Sequence, residues 1–406
     1  MTETYRRQQQ FRQSADWMVD SDGRPLGLVG PGGELYTLPA DTHSRRMTAG
    51  RLPTWRRALG RAMAGGRARI LVLGDSTVVG AGAGTGGNTA LDNARRASFP
   101  SALARAMSRL GVLAHNESLV GTQNMAGAGV AYDSFDPRVS PGPFVLQNSA
   151  NFLTAGGHLF RSAAGTLSFT PEVDCDRFEV LYVRNGLAGS FDLAIDGGAP
   201  SSFSLAPGTS MQTAEIVAGS VGRHTLTITA SNGNLYFAAI VVSNSEAGGV
   251  EVLQAGSWGD VSANFLLTTN VWSPANIYDD LAPDLALIQL TINDINGGTS
   301  LKQHLANLAD LADTLGGLGA DVVLMTGLQS NPSAYPRHGN GHSAAVYAAI
   351  AELAEARGLP LLDLAGRLGP YARADAELGM TDSAHGSAAL YGDVGLWVAR
   401  TLLSIG

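Results

Sequence analysis

A hydrophobic run, Ile70-Leu71-Val72-Leu73, stops abruptly at Gly74-Asp75-Ser76-Thr77. A serine directly after a buried strand sits at the carboxyl edge of a sheet, where α/β proteins bind ligands, and a glycine before it relieves crowding in so tight a turn. A serine hydroxyl is a weak nucleophile at neutral pH, so it needs a base, and the base needs an orienting carboxylate. Thr381-Asp382-Ser383-Ala384-His385-Gly386 supplies both, three residues apart. In a turn, that spacing lets Asp382 reach the imidazole nitrogen of His385 that faces away from the serine. Taken alone, Gly-Asp-Ser is also a common turn in which Ser76 caps a helix, and His385 is also a surface or capping histidine. Together in one chain they read as nucleophile, base and orienting acid.

The elements that must hold these residues are legible from about Trp55 onward. Short apolar runs at 70–73, 285–290, 322–325 and 359–362 are bounded by turn or charged residues, as buried parallel strands are. Helical patterns at 102–110, 301–315, 343–356 and 388–403 separate them. The expected fold class is α/β, a doubly wound parallel sheet with ligands at the carboxyl ends of its strands. Between 143 and 247 the period changes to that of strands, at 178–183, 191–195, 224–229 and 235–242, with Asp196-Gly197-Gly198 and Asn232-Gly233 as turns. The expected organisation is an N-terminal extension over 1–50 with at most a small hairpin, an α/β domain over 51–142 and 248–406, and an inserted β-sandwich over 143–247.

Gly74-Asp75-Ser76 on the first strand and Asp382-x-x-His385 before the last helix resemble the first and last blocks of the SGNH (GDSL-type) hydrolases. The resemblance implies the flavodoxin-like SGNH fold and a serine esterase with Ser76, Asp382 and His385 as catalytic triad. It also implies an oxyanion hole built from the amide of Ser76, a glycine amide and an asparagine side chain. Leu290-Thr291-Ile292-Asn293-Asp294 is similar to the block Gly-x-Asn-Asp, with Thr291 in place of glycine, and assigns the asparagine to Asn293. For the glycine two candidates stand, Gly121 and Gly256. Gly256 is preferred because residues 260–281 then form a helix-like connection into the Asn293 strand, with Gln254 where the family often has Asn. The sandwich resembles carbohydrate-binding modules found with some SGNH esterases, which implies an acetylated polysaccharide or glycan as substrate and a carbohydrate O-acetylesterase. A lipase or thioesterase on small acyl esters is the alternative. So is a phage-type glycan receptor-binding protein, since 23–30 is similar in style to phage tail-fibre N-termini. Its aromatics Phe178, Tyr182, Phe191, Tyr236 and Phe237 alternate in strands and read as core before sugar platform.

Other features narrow the function. The 406 residues carry 27 basic and 35 acidic side chains, a net charge of −8, which gives a nucleic-acid partner no electrostatic support. No apolar run approaches a membrane span and the start lacks a signal-peptide core, so the expectation is no membrane partner and a cytoplasmic location, with a virion or exported role as alternatives. Oligomeric state is not readable. Cys175, the single cysteine, is flanked by Asp174 and Asp176, which disfavour its thiolate; it reads as structural. Gly82-x-Gly84-x-x-Gly87 matches a dinucleotide fingerprint but begins too far beyond the strand, and a flexible loop is expected. His338 and His342 lie in a glycine-rich loop without acidic or thiol partners, so they are expected to rim the cleft and not to bind a metal. The expected chemistry uses no metal and no cofactor.

Overall fold

The computed structural model describes residues 42–405 apart from 87–89, 163, 187–188, 233 and 340, together with the strands Asp16–Val19, Pro25–Val29 and Leu35–Tyr36. Those three strands pair antiparallel, one strand more than the expected hairpin.

Seven strands form the central sheet: β1 Ser44–Arg45, β2 Arg67–Gly74, β3 Ala114–His115, β4 Gly249–Gly256, β5 Leu285–Gln289, β6 Asp321–Met325 and β7 Leu361–Leu362. Their spatial order is β1-β7-β6-β5-β2-β4-β3, all parallel except the edge strand β1. Ile70 to Leu73 are fully buried because both faces of β2 are covered, which is why the run carries no polar alternation. One face packs Ile70 and Val72 against Trp55, Leu59, Leu103 and Trp397; the other packs Leu71 and Leu73 against Leu253, Ile288 and Leu311. After β2 the chain first builds β3 and β4 on one side and then β5, β6 and β7 on the other. The reversal leaves a crevice at the carboxyl end of β2, the position of Ser76.

The principal helices are α1 Pro53–Met63, α2 Ser76–Val79, α3 Phe99–Arg109, α4 Ile292–Gly297, α5 Leu301–Gly317, α6 His342–Arg357 and α7 Ala388–Leu403. The connection from 260 to 281 is less helical than its pattern suggested, with one 3₁₀ stretch at Ser262–Leu266 and a helix at Pro274–Leu281.

Two antiparallel sheets occupy the strand-patterned middle of the sequence. The larger contains Thr209–Gly222, Cys175–Asn185 and Leu235–Ser243 as successive neighbours; the smaller is centred on Leu226–Asn232. Phe160, Phe169, Phe178, Phe191 and Phe237 fill the space between them, and all five are fully buried or nearly so. Strand alternation sends Leu181, Val183, Ala239 and Val241 out of the opposite face of the larger sheet. There they pack on Leu71, Leu73, Leu253 and Ala255. The larger sheet is therefore buried on both sides, and Leu119–Val120 extends it from outside the 143–247 segment.

Candidate active site

Strand β2 ends where its glycine allows the chain to turn under α2. A Cβ on Gly74 would collide with the Val78 side chain and come within 2.8 Å of the Gln289 carbonyl oxygen. Asp75, not Ser76, caps α2: its Oδ1 accepts from the Thr77 amide at 2.9 Å and the Thr77 hydroxyl at 2.7 Å. Burial pushes the Asp75 carboxyl up from its ordinary range, against the pull of those two hydrogen bonds. Ser76 is thus the first residue of the helix, its side chain released from capping and its amide without an intrahelical acceptor.

That freed hydroxyl lies 2.8 Å from His385 Nε2, and His385 Nδ1 lies 2.7 Å from Asp382 Oδ2. The other carboxylate oxygen of Asp382 accepts the amides of Ala384 at 2.7 Å and His385 at 2.8 Å. Burial raises the Asp382 carboxyl, but the His385 hydrogen bond and charge and these two amides outweigh it, holding the group below its usual range. Ser76 is 5% exposed and His385 7%. The histidine loop is fixed from several sides. Thr381 donates its hydroxyl to the Gly82 carbonyl at 2.6 Å, Tyr391 OH donates to Ala81 O at 3.0 Å, and the Asn331 amide donates to Ser383 O at 2.7 Å. Gly82 permits this approach, since a Cβ there would stand 2.7 Å from Gly386 O and 2.9 Å from His385 Cβ. Two glycines of the apparent dinucleotide fingerprint, Gly82 and Gly84, are packing glycines in this loop; Gly87 lies outside the described residues.

Asn293, in the first turn of α4, is half-buried, and its Nδ2 donates one hydrogen to Asp260 O at 2.9 Å. The second amide hydrogen is left to point elsewhere. Thr291, in place of the usual glycine, is accommodated: its φ of −170° is extended backbone, and its hydroxyl donates to Leu290 O beside His304 Nε2.

Neither glycine candidate presents its amide to Ser76. The Ser257 amide donates to Gly74 O at 2.9 Å, so Ser257 faces β2, and by strand alternation the Gly256 amide faces away from it. Gly256 serves packing instead, since a Cβ would stand 2.7 Å from the Val79 amide nitrogen of α2. The Gly121 amide is already donated to Ala238 O at 2.7 Å. Gly259, three residues beyond Gly256, is exposed, at φ +77°, with open space around it. It stands between Trp258, whose indole stacks on His385, and Asp260, whose carbonyl holds Asn293. Sequence reading passed over Gly259 and Trp258 although both lie within three residues of Gly256; the Gly-Asp pair at 259–260 was the available signal.

His338 and His342 do not come together as ligands. His338 is buried with Nε2 3.0 Å from Asn296 Oδ1 and Nδ1 2.9 Å from Ser343 Oγ, while His342 is exposed at the start of α6. Among the described residues no group of three His, Cys, Asp or Glu is placed to hold a metal ion. Cys175 is buried, and burial, with Asp176 and Glu117 nearby, pushes its thiol up to about 12. No helix among the described residues is long and apolar enough to cross a membrane.

Residues 230–392 match the model of the GDSL-like Lipase/Acylhydrolase family, a span that includes Asn293, Asp382 and His385 but not Ser76. A solved structure titled "Peptidoglycan O-acetylesterase in action" is similar in fold, with a TM-score of 0.67 at 16% identity over 89% of this chain and 98% of that one. Two further solved structures resemble the chain too slightly to carry an argument. A family two carbohydrate esterase from Clostridium thermocellum gives a TM-score of 0.29 at 12% identity over 64% of this chain and 95% of that one. A lipase/acylhydrolase from Enterococcus faecalis gives 0.32 at 22% identity over 37% and 75%. No curated protein matches the chain by sequence. The doubly wound sheet agrees with the SGNH hydrolase fold, and residues 230–392 are similar to the GDSL-like lipase/acylhydrolase family.

Proposed function

We propose that the protein is a serine esterase that removes O-acetyl groups from a carbohydrate, with Ser76, His385 and Asp382 as its catalytic triad. The observation that carries this reading is the unbroken line from Ser76 Oγ through both imidazole nitrogens to Asp382, at the carboxyl end of β2. His385 takes the proton from Ser76 as the hydroxyl attacks the ester carbonyl, and returns it to the departing alcohol; water then hydrolyses the acyl-enzyme by the same route in reverse. Asp382 fixes the tautomer that leaves Nε2 free to accept. The oxyanion is held by the Ser76 amide, the second Nδ2 hydrogen of Asn293 and the amide of Gly259, which replaces Gly256 in that role.

The carbohydrate part of the proposal is supported by the packed pair of antiparallel sheets and by the fold similarity to a protein described as a peptidoglycan O-acetylesterase. Phe178, Tyr182, Phe191 and Phe237 are core residues and offer no sugar platform; Tyr236 is half-buried. The test is hydrolysis of 4-nitrophenyl acetate by wild type and Ser76→Ala, followed by acetate release from acetylated xylan, pectin, capsule, O-antigen and peptidoglycan. Equal inactivity of both proteins with glycan binding retained would leave a glycan-binding protein on a hydrolase fold. Preference for long acyl esters over all acetylated glycans would leave a lipase.

A further inference from the structure

Trp258 is half-buried, and its indole stacks on the His385 imidazole with ring centroids 5.3 Å apart and planes 25° apart. Its main chain is clamped at both ends. The Trp258 amide donates to Gln123 O at 3.1 Å, and its carbonyl accepts from Asn124 Nδ2 at 2.7 Å. Gln123 and Asn124 are consecutive residues in the left-handed region, at φ 50° and 57°, a conformation that residues with side chains seldom adopt and that persists only when its surroundings enforce it. The enforcement is visible. The Gln123 amide donates to Gly156 O at 2.7 Å, and the Gln123 side chain meets the buried Gln254, Oε1 lying 3.1 Å from Gln254 Nε2. The same Gln254 nitrogen lies 3.0 Å from the carbonyl oxygens of Val78 and Val79, in the last turn of the helix that Ser76 begins. One path of polar contacts therefore joins that helix to Gln254, Gln123 and Trp258, and stacking completes it to His385.

Resting on the triad proposed above, we infer that Trp258 is a positioning residue for His385, held to that task by the Gln123–Asn124 corner. A flat indole against the imidazole limits rotation of the ring away from Ser76. The constraint acts at the step in which His385 Nε2 takes the Ser76 proton, after the substrate is bound, because that step needs the ring nitrogen aligned with Ser76 Oγ. An interaction stronger in the transition state than in the ground state raises kcat and leaves substrate binding alone.

The experiment is steady-state hydrolysis of 4-nitrophenyl acetate by wild type, Trp258→Ala, Trp258→Phe, Asn124→Ala and Ser76→Ala, with unfolding midpoints for each. Trp258→Ala is expected to lower kcat on the order of ten-fold at unchanged KM, Trp258→Phe to recover most of that loss, and Asn124→Ala to cost a few-fold in kcat. Wild-type kcat in Trp258→Ala, a loss that phenylalanine does not recover, or an effect confined to KM overturns the positioning role. Should Trp258→Ala fail to fold, Asn124→Ala decides, because it loosens the clamp and keeps the indole: unchanged kcat overturns the inference. Activity surviving in Ser76→Ala sinks the esterase reading itself, whereas a dead Ser76→Ala beside a fully active Trp258→Ala sinks only the role of Trp258.

Discussion

Two buried clusters among the described residues bring a serine hydroxyl, a histidine and an aspartate within hydrogen-bonding reach, and they order the three groups differently. At the cleft, His385 stands between its partners, with one ring nitrogen toward Ser76 and the other toward Asp382. Behind Asn293, the serine reaches the carboxylate directly: Ser262 donates its hydroxyl to Asp294 Oδ1 at 2.7 Å and its amide to Oδ2 at 2.9 Å. His304 lies to one side, Nδ1 3.3 Å from Asp294 Oδ1, and Asn307 donates to the Ser262 hydroxyl at 2.9 Å. Ser262 and His304 are 0% and 2% exposed. A serine hydroxyl that is held in a hydrogen bond to a carboxylate and is 0% exposed has no approach to an ester. The second cluster instead fixes the residue next to Asn293, and so the face of α4 that meets the cleft. Composition is shared between the two; order and access are not.

The sharpest break between the clusters is expected from their serines. Ser76→Ala should lower kcat for 4-nitrophenyl acetate by at least about 10³-fold with the unfolding midpoint near wild type. Ser262→Ala should keep its rate within a few-fold and lose about 1–3 kcal/mol in urea unfolding, the cost of leaving buried Asp294 short of partners. Equal rate losses in both variants would erase the distinction. Next in size is Asn293→Ala, expected to cost on the order of 10²- to 10³-fold in kcat, against a smaller loss for Asn296→Ala measured in parallel.

The smallest effect is a pH dependence of stability. Burial raises the Asp294 carboxyl, but the hydrogen bond and charge of His304 and the two hydrogen bonds from Ser262 outweigh it and hold the group below its usual range. A depressed folded-state pKa means stability present above the unfolded carboxylate value of about 4 and lost as pH falls through the lower folded value. Urea midpoints at pH 6 and pH 3 should therefore converge between wild type and Asp294→Asn at the acid end. A gap that is as wide at pH 3 as at pH 6 would show that the cluster acts through shape alone.

Much of the fold was legible because its strands are short, wholly apolar and separated by helical patterns: β2, β5, β6 and β7 each overlap an expected run. The strands at Ala114–His115 and Leu119–Val120 were not legible, since two residues cannot display a period and their pairing is decided by neighbours far along the chain. Ser76, His385 and Asp382 were marked by local blocks that carry their own turn chemistry. The glycine proposed for the oxyanion hole was not, because a glycine can serve a cleft or a close packing contact, and the letters are the same.

What the sequence by itself determined, then, is a serine after a buried strand, an Asp-x-x-His ahead of the last helix, and the α/β frame around them. These follow from local propensity and from hydrophobic runs that must be covered. Only the tertiary structure decided that Asp75 and not Ser76 caps the helix, that Gly256 packs against it while Gly259 stays exposed, and that an indole backs His385. Such choices depend on which side of a strand an amide points to and on which residues from distant segments come to lie beside it, and neither is encoded within any one stretch of the chain.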